Sequence, residues 1–162
     1  MSEHIATVRW ARHTADFAYE TYNRAHSWTF DSGVTVPGSA APGFLGDPDR
    51  VDPEEAFVAA LSSCHMLTFL AIAARKRFVV DTYIDQAVGV MDKGANGRLW
   101  VSTVTLRPAI TFATDKGPDA AQLARLHAQA HDHCFIANSV KTTVRVEPPA
   151  RESDAQGAPA AA

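Results

Sequence analysis

The chain has 162 residues, of which 46% are hydrophobic and 20% are charged, and its formal net charge is −3. This length suits one domain with a substantial core, and the composition is that of an ordinary globular protein. The weak negative charge gives no electrostatic reason to expect nucleic acid or an anionic membrane surface as a partner. The first residues lack a basic stretch followed by an apolar one, so we expect no secretory signal and a cytoplasmic protein with reduced thiols.

The N-terminal third has the composition of short β-strands joined by turns. Residues 5–10 and 17–30 are rich in aromatic and β-branched side chains, which predicts extended structure with a bend over Tyr22–Ser27. A turn and a short strand are expected over Asp31–Val36. Residues 37–50 contain three prolines and three glycines, and we expect there a long loop of the kind that often contributes to binding.

A long apolar helix is predicted at the centre of the chain, from Asp52 to Ala74. Asp52 and Glu55 have the spacing of a capping box, and Pro53 suits the first helical position. From Ala56 onward the segment has no Asp, Glu, Lys or Arg, so we expect a helix that is buried on every side. Its length would also suit a membrane span, but its many Ala, Ser and Thr residues and the neighbouring strand patterns favour a core helix.

A long β-hairpin is predicted after the helix. Its strands are expected over Val79–Met91 and Arg98–Phe112, and the connection Asp92–Gly97 contains Asn-Gly, a strong hairpin-turn signal. Pro108 cannot donate a hydrogen bond to a neighbouring strand, so the returning strand is expected to bend there.

The last part of the chain predicts one more helix and one more strand. Asp119 and Gln122 fit a second capping box, and an apolar stripe at spacings of three and four residues ends at Cys134. Residues 140–146 alternate between two faces, as in a half-buried strand. Residues 148–162 are rich in Pro and Ala without periodicity, which predicts a disordered tail.

Cys64, in the middle of the long helix, and Cys134, at the end of the second helix, are the two cysteines of the chain. They could be inert core residues, or they could face each other between packed helices and approach closely enough for a disulfide. A reactive Cys64 thiolate would need a nearby cation, because the middle of a helix gains nothing from the helix N-terminus. The arginines that could supply this cation are Arg9, Arg12, Arg24 and Arg50.

The segment from Asp52-Pro-Glu54 to Cys64, followed seventy residues later by a second cysteine at a helix end, resembles the family of osmotically inducible protein C and the organic hydroperoxide resistance proteins. The order of elements is also similar over residues 5–147. The resemblance implies an α+β fold in which antiparallel sheets wrap around a long buried cysteine-bearing helix and a second helix. It also implies a single domain over residues 1–147 and an intertwined homodimer.

The same resemblance implies a thiol peroxidase that reduces organic hydroperoxides to alcohols without a cofactor or a metal. Cys64 would be the peroxidatic thiol, which becomes a sulfenic acid, and Cys134 the resolving thiol, which condenses with it to a disulfide. An external dithiol would then reduce the disulfide. Arg24 and Glu54 would match the family's active-site arginine and glutamate, with Arg24 stabilising the thiolate and Glu54 holding the guanidinium.

Helix geometry adds a constraint on this site. Ten residues of α-helix place Glu54 about 15 Å along the axis from Cys64, so Glu54 cannot touch the thiol of its own chain. With the resemblance, this predicts active sites at a two-fold interface. The chain departs from the family pattern in having Phe135, where Pro is common, and in the histidines near its thiols, which are His65, His131 and His133.

Two other interpretations stay open. The first is a zinc or copper site, for which the candidate ligands are Cys64, His65, His131, His133 and Cys134. Against it, His131 and His133 point to different sides of a helix, and His127 and His131 are expected to line a solvated face. The second is a non-redox ligand-binding module on the same scaffold, in which both thiols are core residues.

Overall fold

A computed structural model describes residues 2–113 and 117–148. Apart from Pro148, the segment predicted to be a disordered tail lies outside the described residues. The chain divides into two compact units, residues 1–57 and 58–162, and each unit is described by itself. A single domain over residues 1–147 stays a prediction.

The first unit contains a three-stranded antiparallel sheet in the order β1-β2-β3. Its strands are β1 (Ala6–Arg9), β2 (His26–Phe30) and β3 (Thr35–Gly38). Trp28 in the central strand lies opposite Val8 on one side and Val36 on the other, so bulky residues pair across the sheet as β-structure favours. Gly33, in the turn between β2 and β3, has a positive φ of 83°, which glycine adopts without strain.

The extended structure predicted over residues 17–21 is wrong, because this segment belongs to a loop between β1 and β2, while the predicted bend after it is present at residues 22–25. The loop turns back on itself where the Tyr22 amide donates to the Ala18 carbonyl at 3.0 Å. The rings of Trp10, Phe17 and Tyr22 pack against one another with centroids 5.3 to 6.5 Å apart. The aromatic side chains that suggested a strand therefore stabilise a loop by packing on themselves.

The long loop predicted after β3 is present, and its ends are joined. The Ser39 amide donates to the Val51 carbonyl at 3.1 Å, and the Val51 amide donates to the Pro37 carbonyl at 3.3 Å. Inside the loop, the buried Ser39 hydroxyl accepts a hydrogen bond from the Asp47 amide at 3.0 Å. A compact loop closed in this way can deliver the chain to the start of the central helix in a fixed direction.

The central helix, α1, spans Pro53–Arg75 and begins as predicted. The Glu55 amide donates to Asp52 Oδ1 at 2.7 Å, and the Asp52 amide donates to Glu55 Oε2 at 3.1 Å, which completes the capping box. The expectation that α1 is buried on every side is wrong. One stripe at four-residue spacing is buried, made of Leu61, His65, Phe69 and Ala73, while Leu67 on another face is 62% exposed.

The long hairpin in the second unit is confirmed, although each of its arms is broken once. Its strands are β4 (Val80–Asp85), β5 (Val88–Lys93), β6 (Leu99–Leu106) and β7 (Pro108–Phe112). β4 pairs with β7 and β5 pairs with β6, both antiparallel. At the break, Asp85 Oδ1 accepts a hydrogen bond from the Arg107 amide at 2.6 Å, so a side chain satisfies a backbone donor that the ladder leaves free.

The last strand, β8, spans Thr143–Val146 and pairs with β6 in parallel. It is shorter than the predicted 140–146, since residues 141 and 142 form a bend and the pairing with β6 begins at Thr143. β5, β6 and β8 thus form a three-stranded sheet with one parallel pair. A parallel partner could not be read from sequence, because alternation indicates a strand without indicating its neighbour.

The second helix, α2, spans Ala120–Asp132 and has the predicted capping box between Asp119 and Gln122. It packs against the buried stripe of α1, and the centre of this contact is Phe69, Ala73, Leu126 and Ala130. Side chains of β4 and β7 cover the same cluster, including those of Val80, Tyr83, Ile110 and Phe112. The mixture of two helices with mainly antiparallel strands confirms the predicted α+β class.

Within residues 2–113 and 117–148, α1 is the helix that is long and apolar enough to cross a membrane by length and composition. The core helix of a soluble protein meets the same criterion. The packing of Phe69 and Ala73 against α2 supports the interpretation of α1 as a core helix.

Candidate functional site

The two cysteines meet at the junction of α1 and α2. Cys64 lies in the middle of α1 and is half-buried, whereas Cys134 lies two residues beyond α2 and is 1% exposed. Both are free thiols, and they lie close enough together for Cys64 to raise the pKa of Cys134. Of the two alternatives that the sequence left open, the structure fits the one in which Cys64 and Cys134 lie near each other, although Cys64 is on the open face of α1 and not between the packed faces of the helices.

Cys134 is held in place by the end of α2. Its amide donates to the His131 carbonyl at 3.2 Å, and its carbonyl accepts from the Asn138 amide at 3.0 Å. Burial raises the pKa of Cys134 to about 11, and the neighbouring Cys64 side chain acts in the same direction. Cys134 consequently keeps its proton near neutral pH and can donate it to the sulfur of Cys64.

An open groove of about 810 Å³ borders Cys64. Most of its lining is apolar and comes from the exposed face of α1 and from the segment after Cys134, as Ala60, Leu67, Ala71, Ile72, Phe135 and Ile136 show. Phe135 is 82% exposed. Arg75 and His133 also line the groove. An apolar molecule in this groove would have Cys64 within reach, while the thiol of Cys134 would stay behind it.

The buried stripe of α1, about 100° around the helix from Cys64, carries a histidine. His65 is 1% exposed and His127 of α2 is 5% exposed, and His65 Nε2 lies 3.1 Å from His127 Nδ1. Burial lowers the pKa of each imidazole to about 4. The expectation that His127 lines a solvated face is wrong: a spacing of four residues shows that His127 and His131 share a face of α2, but not which face that is.

Arg24 lies in the loop between β1 and β2 and is bound by its own loop. Its guanidinium donates to the Tyr19 carbonyl at 2.7 Å and to the Tyr22 carbonyl at 3.0 Å. It also lies over the Tyr22 ring, 4.1 Å from the centroid, and 5.1 Å from that of Tyr19. These contacts order the side chain and leave part of its donor fork free, since an arginine carries five N–H groups.

Glu54 lies in the first turn of α1 and is half-buried. Among residues 2–113 and 117–148, the one salt bridge joins Arg50 Nε to Asp47 Oδ2 at 3.0 Å, so the predicted pair of Arg24 and Glu54 is not formed within the described part of the chain. The structure thus brings the two predicted thiols together and leaves the two predicted charged residues apart from each other.

The metal interpretation finds no geometric support in the described residues. No group of three or more His, Cys, Asp or Glu side chains there is arranged to hold an ion. His65 and His127 face each other nitrogen to nitrogen, whereas two ligands of one metal would both direct their lone pairs to a third point.

Residues 46–148 match the family model described as OsmC-like protein. The chain belongs to the OsmC-like protein family. The resemblance inferred from Glu54, Cys64 and Cys134 is thus confirmed at the level of the family. An OsmC-like protein of unknown function from Vibrio cholerae O1 biovar eltor is 48% identical, with 92% of this chain and 100% of that chain covered and a TM-score of 0.86.

Two less similar proteins also match the chain, the first by its fold and the second by its sequence. An organic hydroperoxide resistance protein from Elizabethkingia anophelis is 18% identical, with 91% of this chain and 94% of that chain covered and a TM-score of 0.69. The uncharacterized protein YmaD of Bacillus subtilis is 21% identical over 127 residues, which are 77% of this chain and 84% of that protein. The fold of this chain is therefore shared with a protein named for hydroperoxide resistance and with one of unknown function.

Sequence reasoning missed two parts of this OsmC-like site. The groove residues Leu67 and Phe135 could have been found only as apolar residues near the cysteines, because exposure depends on what other segments cover. His127 carried a usable signal, since it lies on the apolar stripe side of α2 next to Leu126 and seven residues before Cys134.

Proposed function

We propose that this OsmC-like protein is a thiol peroxidase that reduces organic hydroperoxides to alcohols. The observation that carries the proposal is the proximity of the Cys64 and Cys134 side chains beside an apolar groove. A half-buried thiol at an opening and a second, buried thiol behind it are suited to peroxide reduction followed by disulfide formation. The hydroperoxide resistance proteins that share the fold support this choice of substrate class.

In the proposed reaction, the Cys64 thiolate attacks one oxygen of the peroxide O–O bond. The bond breaks, the leaving alkoxide takes up a proton and departs as an alcohol, and Cys64 becomes a sulfenic acid. Because Cys134 keeps its proton, its S–H can donate to the Cys64 thiolate before the reaction. The roles follow from exposure, since Cys64 borders the groove and Cys134 is 1% exposed.

The second half of the reaction joins the two sulfurs. Cys134 loses its proton and attacks the Cys64 sulfenic acid, which releases water and leaves a Cys64–Cys134 disulfide. An external dithiol then transfers two electrons and two protons to this disulfide and is itself oxidised. The proximity of the two side chains favours this step, because the resolving thiol is already near the sulfur that it attacks.

Arg24 and Glu54 have roles in the proposal that depend on a second copy of the chain. Glu54 is about 15 Å along α1 from Cys64 by helix geometry, so the proposal is a homodimer in which Glu54 orients an arginine at the partner's thiol. Co-expression of Cys64→Ser and Glu54→Gln chains tests this. Mixed dimers would contain one site with both wild-type groups and should regain activity that neither variant has alone, and an inactive mixture would contradict the arrangement.

The central experiment is mass spectrometry of protein treated with cumene hydroperoxide. Wild type is expected to form the Cys64–Cys134 disulfide, and Cys134→Ser to accumulate Cys64 as a sulfenic or higher oxide. Cys64→Ser is the matched control and should leave Cys134 reduced. If both thiols of the wild type stay reduced, the protein is not a peroxidase.

The second candidate is a non-redox module that binds an apolar ligand. The size and apolar lining of the groove favour it, as does the engagement of Arg24 by its own loop. In this case an apolar fluorescent probe should bind with equal affinity to wild type and Cys64→Ser, while the hydroperoxide leaves the thiols unchanged.

A further inference from the structure

The two imidazoles between α1 and α2 lie edge to edge. The ring planes differ by 7°, and the ring centroids are 5.5 Å apart. With 3.1 Å between His65 Nε2 and His127 Nδ1, the centroids can be this far apart only when each ring points its nitrogen straight at the other ring. The line between the two nitrogens therefore lies in the plane of both rings. That is the geometry of an N–H···N hydrogen bond, in which one neutral imidazole donates and the other accepts.

Protonation changes this hydrogen bond in two steps. In the neutral pair, one proton lies between the rings and one lies on an outer nitrogen. A first added proton leaves the bond in place but puts a positive charge among buried groups. A second added proton makes both facing nitrogens donors, so the bond is lost and two like charges oppose each other.

The surroundings offer little to stabilise such charges. His65 Nδ1 and His127 Nε2 are buried and have no hydrogen-bond partner in the described structure. Phe69 of α1 packs against the His127 ring at 4.7 Å between centroids. His131 of α2 opposes protonation of His65. Asp85, which lies on β4, favours protonation of His65. Tyr83, also on β4, is uncharged at neutral pH, since burial raises its pKa.

Asp85 is already engaged elsewhere. Its Oδ2 accepts a hydrogen bond from the Ser62 hydroxyl at 2.5 Å, and its Oδ1 accepts one from the Arg107 amide at 2.6 Å. A carboxylate held by two donors has less negative charge to offer to a neighbouring imidazolium. The histidine pair is therefore built to remain neutral.

The pair also has a direct connection to the two thiols. His65 follows Cys64 on α1, and α2 carries His127 two turns before Cys134, whose amide donates to the His131 carbonyl at 3.2 Å. Within the described residues, the His65–His127 bond is the one side-chain hydrogen bond that joins α1 to α2. Leucine and alanine contacts hold helices together but tolerate sliding, whereas a hydrogen bond between two rings fixes their relative position.

We infer that His65 and His127 are positioning residues, whose neutral hydrogen bond holds Cys134 against Cys64, and that protonation of both rings releases Cys134. The catalytic purpose of this arrangement rests on the proposed function, because the peroxidase reaction uses both thiols. The positioning of Cys134 by the histidines does not. Burial lowers the pKa of both imidazoles. Cys134 is therefore released only in acid, and at neutral pH it is held against Cys64.

The test measures how accessible Cys134 is, without any peroxide. Reduced protein is treated with 4,4′-dithiodipyridine, a reagent that modifies thiols in acid as well as at neutral pH. The rate at Cys134 is assigned by peptide mass spectrometry and divided by the rate of glutathione at the same pH, which removes the pH dependence of the reagent. Wild type should show a relative rate at least tenfold higher at pH 4 than at pH 7.

The matched variant replaces the rings by amides that keep the bond. In His65→Gln, His127→Asn the glutamine amide stands at the place of Nε2 and the asparagine amide at that of Nδ1, and neither titrates. This variant should protect Cys134 at pH 7 as wild type does, and should not release it at pH 4. His127→Leu removes the hydrogen bond and should raise the rate of Cys134 modification at pH 7 about tenfold. His4→Asn changes an exposed histidine and should match wild type at both pH values.

Two results would overturn the inference. One is a wild-type rate at Cys134 that does not rise in acid, and the other is an equal rise in the amide variant. Circular dichroism at pH 7 shows whether the amide variant is folded, and His127→Asn alone serves as a second test if it is not. Because no peroxide is used, the positioning result stands or falls separately from the peroxidase experiment.

Discussion

Two faces of α1 have similar compositions and opposite surroundings. The buried face, Leu61, His65, Phe69 and Ala73, packs against α2 and strands β4 and β7. The open face, Ala60, Cys64, Leu67 and Ala71, lines the groove. Each is apolar with one chemically active side chain, a histidine on one and a cysteine on the other. The comparison teaches that burial, rather than residue type, separates the stabilising face of the helix from the reactive one.

The largest expected effect is on the open face. Cys64→Ala should reduce thiol-dependent consumption of cumene hydroperoxide by more than about 100-fold, because it removes the nucleophile, while the free energy of unfolding changes by less than about 1 kcal/mol. Peroxide consumption and urea unfolding measure the two quantities. Ser63→Ala, in the same groove, is the matched control and should retain activity. A large loss of stability in Cys64→Ala would show that side-chain packing on the open face also stabilises the fold.

The buried face is expected to respond in stability. Phe69→Ala should lower the free energy of unfolding by about 3–5 kcal/mol, since it removes a ring from the centre of the contact between α1 and α2. Leu67→Ala, on the open face, should cost less than about 1 kcal/mol. Urea unfolding of both variants measures the difference. Equal losses would mean that Leu67 is covered in the assembled protein, and the contrast between the faces would fail.

Acid is expected to act on the buried face through its histidines. Unfolded imidazoles take up protons near pH 6.5, but His65 and His127 do so in the folded chain only near pH 4. The unfolded state therefore binds more protons over this range, and stability is retained above pH 6.5 and lost as the pH falls toward 4. Each imidazole should contribute a loss on the order of 3 kcal/mol at pH 4.

Urea unfolding at pH 7, 6, 5 and 4 measures this loss. The variant His65→Gln, His127→Asn should show a flatter curve, and the difference between the two curves isolates the histidines from carboxylates that titrate in the same range. Curves of the same slope would show that the pair does not govern acid stability.

The smallest expected effect concerns the start of α2, the helix that covers the buried face. Asp119→Ala removes an acceptor for the Gln122 amide and should cost about 1 kcal/mol in the free energy of unfolding. Asp119→Asn keeps an acceptor and should cost less. Peroxide consumption should be unchanged in both, and a loss of activity would show that the cap also positions Cys134.

The features that sequence predicted well are those with local causes. Both helix starts follow from capping boxes, in which Asp52 and Asp119 bond residues three positions away. The hairpin follows from its turn, where Gly97 has a positive φ of 75°. The sequence also allowed Cys64 and Cys134 to meet, because the apolar stripe of the second helix ends at Cys134 and the helix around Cys64 is apolar.

The features that sequence missed depend on distant partners. Residues 17–21 have strand-like composition but form a loop, because their rings pack on Trp10. His127 is buried because α1 supplies a ring to bond it. The parallel pairing of β8 with β6 and the open face of α1 depend on which segments meet, and neither periodicity nor spacing encodes that.

On the ribosome, α1 emerges long before the segment that covers its buried face. Phe69 and Ala73 pack against Leu126 and Ala130, so more than fifty further residues must be made before this contact forms. At about 5–20 residues per second, the most apolar helix of the chain waits roughly 3–12 seconds without its partner. Newly made protein should therefore depend on holding chaperones during this interval, and its yield should follow translation speed more closely than equilibrium stability.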